Sequence, residues 1–328
     1  MARIFSGVQP SGSLHLGNYI GAFRQWVEGQ KTDDGIFCVV DLHALTVEMA
    51  PEQLHTRTLE TAAGLLAAGL DPGLCTIFLQ SHVPAHTQLS WLLECTAYEG
   101  ELRRMTQFKE KSRGQAAVRV GLYTYPTLMA ADILLYDTDR VPVGDDQRQH
   151  IELTRDLALR FNAAYGETFV VPEIELPRVG ARIMDLQHPD QKMAKSATSP
   201  AGTISIDDPP EEIDKKIRRA VTDAGTEVRF DRDDKPGVSN LLEILAAATG
   251  GSPEAVAAHY DSYGALKADV AAAVVEMLRP VRERYLELTR DPGALAGILG
   301  QGADRAQKIA AATLERAQRA IGLVPRLG

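Results

Sequence analysis

Ile4-Phe5-Ser6-Gly7-Val8-Gln9-Pro10-Ser11-Gly12-Ser13-Leu14-His15-Leu16-Gly17-Asn18-Tyr19-Ile20 joins a short apolar run to the start of a helical pattern, and this junction sets the fold. Leu16, Ile20, Phe23 and Val27 recur at helical spacing and mark a buried face. His15 and Asn18, three apart, share a different face of the first turn, and Gly17 between them lets a ligand approach the backbone. A helix N-terminus with free N–H groups and a positive dipole end suits a polyphosphate. Alone, the segment is also satisfied by a capped helix carrying an exposed histidine.

Outward from this junction, apolar runs alternate with helical patterns. Ile36-Phe37-Cys38-Val39-Val40 is a buried-strand run, Thr76 to Leu79 another and Arg140 to Val143 a third. Glu52 to Ala68 and Thr127 to Tyr136 are helical. The alternation predicts an α/β fold with a parallel sheet covered on both faces, whose ligands sit at the carboxyl ends of the strands. Gly7 to Gln9, Asp41 to His43 and Gly144 to Gln147 fall there. From about residue 187 the character changes. Pro209-Pro210-Glu211-Glu212 is a helix start, and helical stretches follow at 210–221, 239–248, 265–288 and 303–321. Only Thr203 to Ile206 offers a further strand. The expected division is a catalytic unit at 1–186 and a helical one at 187–299, with a helix at about 300–328 able to pack back on the first.

The 328 residues suffice for about two domains with substantial cores. No apolar run reaches the roughly 20 residues that cross a bilayer, and Met1 to Pro10 lacks the pattern of a signal peptide. Cys38, Cys75 and Cys95 form no C-x-x-C pair and read as buried small hydrophobes in a reducing cytoplasm. The net charge of −9 gives no general attraction to nucleic acid. Any RNA contact must come from local clusters: Lys215, Lys216, Arg218 and Arg219, or Arg103 and Arg104. Each also reads as a solvated helix face.

Gln191-Lys192-Met193-Ala194-Lys195-Ser196 lies in a polar stretch rich in Ser, Thr, Pro and Gly. Two lysines three apart can both reach one polyphosphate, where charge grows as pyrophosphate departs. In this order, His15-Leu16-Gly17-Asn18 and Lys192-Met193-Ala194-Lys195-Ser196 resemble the HIGH and KMSKS signatures of class I aminoacyl-tRNA synthetases. Asn18 replaces the last histidine and Ala194 the first serine.

Further runs narrow the resemblance to the tryptophan enzymes of bacterial type, over essentially the whole chain. They are Phe5 to Gly12, Asn18 to Ala22, Arg104 to Lys109, Tyr125-Pro126 with Met129 to Leu134, and Val141 to Gln147. Asp132 stands inside the apolar run Leu128 to Leu135, where an acid must be paired or have a task. An indole offers one N–H donor and no acceptor, so a carboxylate facing an apolar pocket suits it. Met129 and Val143 could supply apolar wall. The structural alternative is an acid held by backbone amides or a nearby arginine.

The resemblance implies a Rossmann-like catalytic domain with a smaller all-helical domain that binds the tRNA anticodon. It implies ATP-driven activation of L-tryptophan, then transfer to tRNA(Trp), by a cytoplasmic homodimer, with Mg²⁺ carried on the ATP phosphates and no dedicated metal site. Gln9, Tyr125 and Gln147 would hold the substrate ammonium and carboxylate. His43, in Asp41-Leu42-His43-Ala44, reads either as a satisfied histidine after the second strand or as a residue of the tryptophan pocket. Gln9, Pro10, Ser11, His15, Gly17 and Asn18 would meet ATP from one side, and Lys192, Met193, Ala194, Lys195 and Ser196 from the other. Gly144, Asp145 and Asp146 would take the ribose and Ile183 the adenine. Lys111, in the Lys109-Glu110-Lys111-Ser112 loop, would join Lys192 and Lys195 in stabilising the reacting phosphate. Leu89 to Leu93 could serve a dimer interface. A tyrosine enzyme, a small-molecule nucleotidyltransferase and a catalytically silent RNA-binding relative remain as other readings.

Overall fold

A computed structural model describes residues 1–10, 14–114, 117–175, 182–194 and 200–324, with the side chain of Asp145 left out. Ser11, Lys195 and Ser196 therefore lie outside the described residues.

Five strands form one parallel sheet: β1 (Arg3–Val8), β2 (Asp34–Val39), β3 (Thr76–Leu79), β4 (Arg140–Pro142) and β5 (Glu173–Glu175), in the order β3-β2-β1-β4-β5. The chain runs outward from β1 in one direction and then, from β4, in the other. The fold is thus a doubly wound, Rossmann-like α/β sheet. β5 is Glu-Ile-Glu, a charged three-residue edge strand that no apolar run announced.

The first helix, α1 (16–29), runs through Leu16–Asn18, a π-helical stretch Tyr19–Phe23 and Arg24–Gly29. Then come α2 (Asp41–Ala44), α3 (Pro51–Ala67), α4 (Ala85–Glu94), α5 (Glu99–Arg104), α6 (Thr106–Ser112), α7 (Val120–Leu134) and α8 (Arg148–Tyr165). The later helices are α9 (Pro210–Arg218), α10 (Pro236–Thr249), α11 (Pro253–Ala257), α12 (Tyr263–Arg290) and α13 (Pro292–Ala320).

Strand alternation sends side chains to two cores. Phe5, Ile36, Cys38 and Phe78 pack with Leu89 and Leu93 of α4, Ile133 of α7, Leu157 of α8 and Ala306 and Ala310 of α13. Ile4, Phe37 and Ile77 point the other way, to Leu16, Ile20 and Phe23 of α1 and Leu65 of α3. That second core continues without a break into Leu241 of α10 and Leu266 and Val274 of α12. Among the described residues no helix is long and apolar enough to cross a membrane.

Several local expectations are corrected. The helix carrying Asp132 begins at Val120, so Tyr125 and Pro126 lie inside it and not before it. Pro126 has the look of a helix start, but here burial on α4 and α8 holds the helix through a proline that donates no backbone bond. Lys109 to Ser112 belongs to α6 and is not a loop. Thr203 to Ile206 forms no strand; only Ser205 bridges to His15. Leu89 and Leu93 are core residues, because helical rotation leaves Trp91 as the exposed member of that run. Cys38 and Cys75 are buried free thiols, whereas Cys95 is exposed at the end of α4.

Candidate active site

β1 and β4 share one registered pair, Ile4 with Arg140. Beyond it the strands part, and a cavity of about 900 Å³ opens at their carboxyl ends, at the point where strand order reverses. Ser6, Gly7 and Gln9 line it from β1, and Val141, Val143 and Gly144 from β4. α7 supplies Tyr125, Met129 and Asp132, α2 supplies His43, and α6 supplies Gln107, Glu110 and Lys111. Asp146 and Gln147 close the rim.

Asp132 is 1% exposed. Its Oδ1 accepts from Gln80 Nε2 at 2.7 Å and lies 2.6 Å from His86 Nδ1. Its Oδ2 lies 2.7 Å from His43 Nε2. Burial raises the carboxyl, but the charge and hydrogen bond of His43 and the hydrogen bond of His86 outweigh it and hold the group below its ordinary value. A carboxylate has about four acceptor positions, two on each oxygen. Among the described residues Oδ1 has two partners and Oδ2 one, so one acceptor position on Oδ2 stays open. The structural alternative is thus answered in part: Asp132 is paired, yet with histidines and a glutamine rather than with backbone amides or arginine.

Tyr125 Oη donates to Gln107 Oε1 at 3.2 Å and lies 2.6 Å from His150 Nε2. Burial pushes this phenol up to about 12. His150 is pushed down to about 4, first by burial, then by the nearby charges of Lys111 and His43, against an opposing pull from Asp146. Both are therefore uncharged near neutral pH. Lys111 Nζ sits 5.7 Å from the centre of the Tyr125 ring.

The two signature segments come together beside this cavity. His15 caps α1 in an extended conformation, and its backbone N–H donates to Asn18 Oδ1 at 3.2 Å. The histidine is buried, not exposed, because residues 14–16 pair with 204–206 through Leu16 N to Ile204 O and Ile206 N to Leu14 O. A Cβ on Gly17 would lie 3.1 Å from His15 Nδ1 and 3.4 Å from Met193 Cβ, so the first signature touches the second. Met193 is buried, its N–H donating to Ile183 O at 3.0 Å, while Lys192 is exposed and bridges to Met184. Asn240 of α10 holds Met184 on both sides, accepting from its N–H at 2.8 Å and donating to its carbonyl at 2.9 Å. Thr203 Oγ1 donates to Ala194 O at 3.1 Å.

Of the residues singled out in the sequence, Gln9, His43, Lys111, Tyr125, Met129, Asp132, Val143, Gly144, Asp146 and Gln147 meet around the cavity. His15, Gly17, Asn18, Ile183, Lys192, Met193 and Ala194 do not line it; the side chains of Ile183 and Met193 belong to the adjoining core. Gln80, His86, Gln107 and His150 were missed. Gln80 had a signal, since it follows β3 directly, as Gln9 follows β1. His86 had none in the local pattern, and His150 had only its helical spacing of three from Gln147. The basic clusters are mostly spoken for. Lys216 is buried against Asp208, while Lys215, Arg218 and Arg103 pair with Glu212, Asp214 and Glu99.

A doubly wound sheet, a cavity at its switch point and two phosphate-type segments in contact define an enzyme that handles a nucleotide. The family model for tRNA synthetases class I (W and Y) matches residues 1–279, and the chain belongs to that family. It is 56% identical to tryptophan–tRNA ligase 1 of Streptomyces coelicolor, over 99% of this chain and 98% of that one. The tryptophanyl-tRNA synthetase of Mycoplasma pneumoniae superposes with a TM-score of 0.87 at 38% identity, covering 99% of this chain and 98% of that one. That of Campylobacter jejuni, solved with ADP and tryptophan, gives 0.86 at 34%, covering 98% and 100%. Within the family the chain is of the bacterial tryptophanyl type.

Proposed function

We propose that this chain joins tryptophan to tRNA in two steps at the β1–β4 cavity. A tryptophan carboxylate oxygen bonds to the α-phosphorus of ATP as the α–β phosphoanhydride bond breaks, giving the adenylate and pyrophosphate. A hydroxyl of the terminal ribose of tRNA then takes the acyl group and AMP leaves. The observation that carries the reading is Asp132, an ionised acid in the cavity wall with one acceptor position left on Oδ2. An indole has one N–H to give and nothing to accept with. Met129 and Val143 flank it as apolar wall, and Gln9, Tyr125 and Gln147 take the ammonium and carboxylate.

Activation needs no general base, since the attacking carboxylate is already ionised; the chain's work is positioning and charge stabilisation. The α1 start at His15, Gly17 and Asn18 meets the phosphates, Gly144 to Asp146 the ribose, and the backbone around Ile183 and Met193 the adenine. Lys111, Lys192 and Lys195 stabilise the pentacoordinate phosphate. Mg²⁺ carried by the ATP phosphates would supply neutralisation of part of their charge, beside that given by the lysines. Among the described residues no group of three or more His, Cys, Asp or Glu is placed to hold a metal directly. The ADP and tryptophan in the Campylobacter jejuni relative support both ligands in one molecule.

Helices α9 to α12 serve the anticodon of tRNA(Trp), and the enzyme works in the cytoplasm as a homodimer. Leu45, Val47, Trp91 and Val120, all more than half exposed, support a dimer surface.

Amino-acid-dependent ATP–pyrophosphate exchange, run with each of the twenty amino acids and no tRNA, tests the reading. Exchange with tryptophan alone is expected. Exchange with tyrosine would overturn the substrate, and no exchange in folded protein would overturn the reaction.

A further inference from the structure

Behind the cavity wall, Asp132 is backed by a second layer. His86 is fully buried, with Nδ1 2.6 Å from Asp132 Oδ1 and Nε2 2.8 Å from Tyr136 Oη. The Tyr136 ring is fixed in turn: it stacks on Phe5 at 5.6 Å and meets Phe78 edge-on at 5.8 Å. A buried phenol must give its proton to an acceptor. Among the described residues the acceptor at Tyr136 Oη is His86 Nε2. Nε2 is then the unprotonated nitrogen, the ring proton sits on Nδ1, and that N–H points at the Asp132 carboxylate.

The opposite tautomer would present a lone pair to Asp132 at 2.6 Å. The acid would then have to carry a proton on Oδ1, and Oδ2 would offer the indole N–H the weaker acceptor of a neutral carboxyl instead of a carboxylate. From this geometry we propose that His86, locked by Tyr136, is a positioning residue for amino-acid selection: it keeps Asp132 a charged acceptor and aims Oδ2 at the substrate N–H. The proposal rests on Asp132 being the indole partner.

The test compares exchange kinetics for tryptophan and for the analogue in which sulfur replaces the indole N–H, in full-length His86→Ala, His86→Asn, Tyr136→Phe and Asp132→Asn. Discrimination is the ratio of the two kcat/KM values, measured beside KM for ATP and thermal unfolding. His86→Ala is expected to lower discrimination roughly tenfold or more, and Tyr136→Phe by about threefold, through loss of hydrogen bonds around a charged group. KM for ATP stays unchanged in both. His86→Asn, which keeps an N–H where Nδ1 stood, restores most of the loss. Wild-type discrimination in folded His86→Ala and Tyr136→Phe overturns the proposal. If His86→Ala does not fold, Tyr136→Phe decides alone, because it removes a single hydroxyl. Undiminished discrimination in Asp132→Asn overturns the underlying reading of Asp132, and the proposal with it. Its loss there, with both second-layer variants unaffected, overturns the proposal alone.

Discussion

At the scale of single residues, the molecule places one charge in an apolar wall and two uncharged titratable groups beside it. Asp132→Asn keeps the shape but turns one carboxylate oxygen into a donor. It is expected to lower kcat/KM for tryptophan by about 10- to 100-fold, the worth of a hydrogen bond to a charged acceptor, with KM for ATP little changed. Pyrophosphate exchange measures both. His150 gives a pH signature of definite sign. Its folded value of about 4 lies below the roughly 6.5 of a free imidazole, so between them the unfolded chain binds more protons. Stability therefore rises with pH across that window and is lost on acidification, by at most about 1.4 kcal/mol per pH unit. His150→Gln is expected to flatten that part of the profile; urea unfolding at several pH values would show it, and an unchanged slope would assign the dependence elsewhere. Asp132 was legible in the sequence because a charge inside Leu128 to Leu135 demands an account. Its pairing was not, since Gln80, His86 and His43 come from three separate elements and meet only through the fold, although His43 was already marked as a pocket residue.

At the scale of elements, close approach sets the tolerances. A Cβ on Gly302 would lie 1.8 Å from Ile77 O, so α13 crosses β3 backbone to backbone. Gly302→Ala must push the helix off the strand and is expected to cost about 1–3 kcal/mol or more, as overpacking does. Gly297, on the same helix with nothing within 4 Å, is the control. Gly297→Ala is expected to be neutral or to stabilise by about 0.5–1 kcal/mol, because alanine favours helix. Equal effects in denaturant titrations would contradict this account of the contact. The strands that carry apolar runs (β1, β2, β3 and most of β4) could be read before any coordinates, as could the α1 face of Leu16, Ile20 and Phe23. β5 could not, because Glu-Ile-Glu gains its place from pairing with β4 and not from its own hydrophobicity. The start of α7 was hidden by Pro126, a residue that local rules put at a helix end and that tertiary burial overrode.

At the scale of the whole molecule, the exposed apolar patch and the long reach of α13 matter most. Trp91, 64% exposed, and Val120, 75% exposed, stand on neighbouring helices α4 and α7. If the proposed homodimer forms through this patch, Trp91→Asp with Val120→Asp is expected to shift sedimentation from dimer to monomer; a double variant that sediments like the wild type would count against this patch as the dimer surface. α13 packs against β3, the strand at the edge of the sheet, and Arg305 donates to the carbonyls of Pro72 and Cys75 just ahead of it. These partners lie more than 200 positions apart in the chain. Translation proceeds at ~5–20 residues per second, so β3 leaves the ribosome on the order of ten seconds or more before the helix that covers it. For that interval the nascent chain carries an open, apolar sheet edge of the kind that recruits other strands. Chaperone demand during synthesis should therefore centre on the stretch between Leu79 and Gly302 and end once α13 docks.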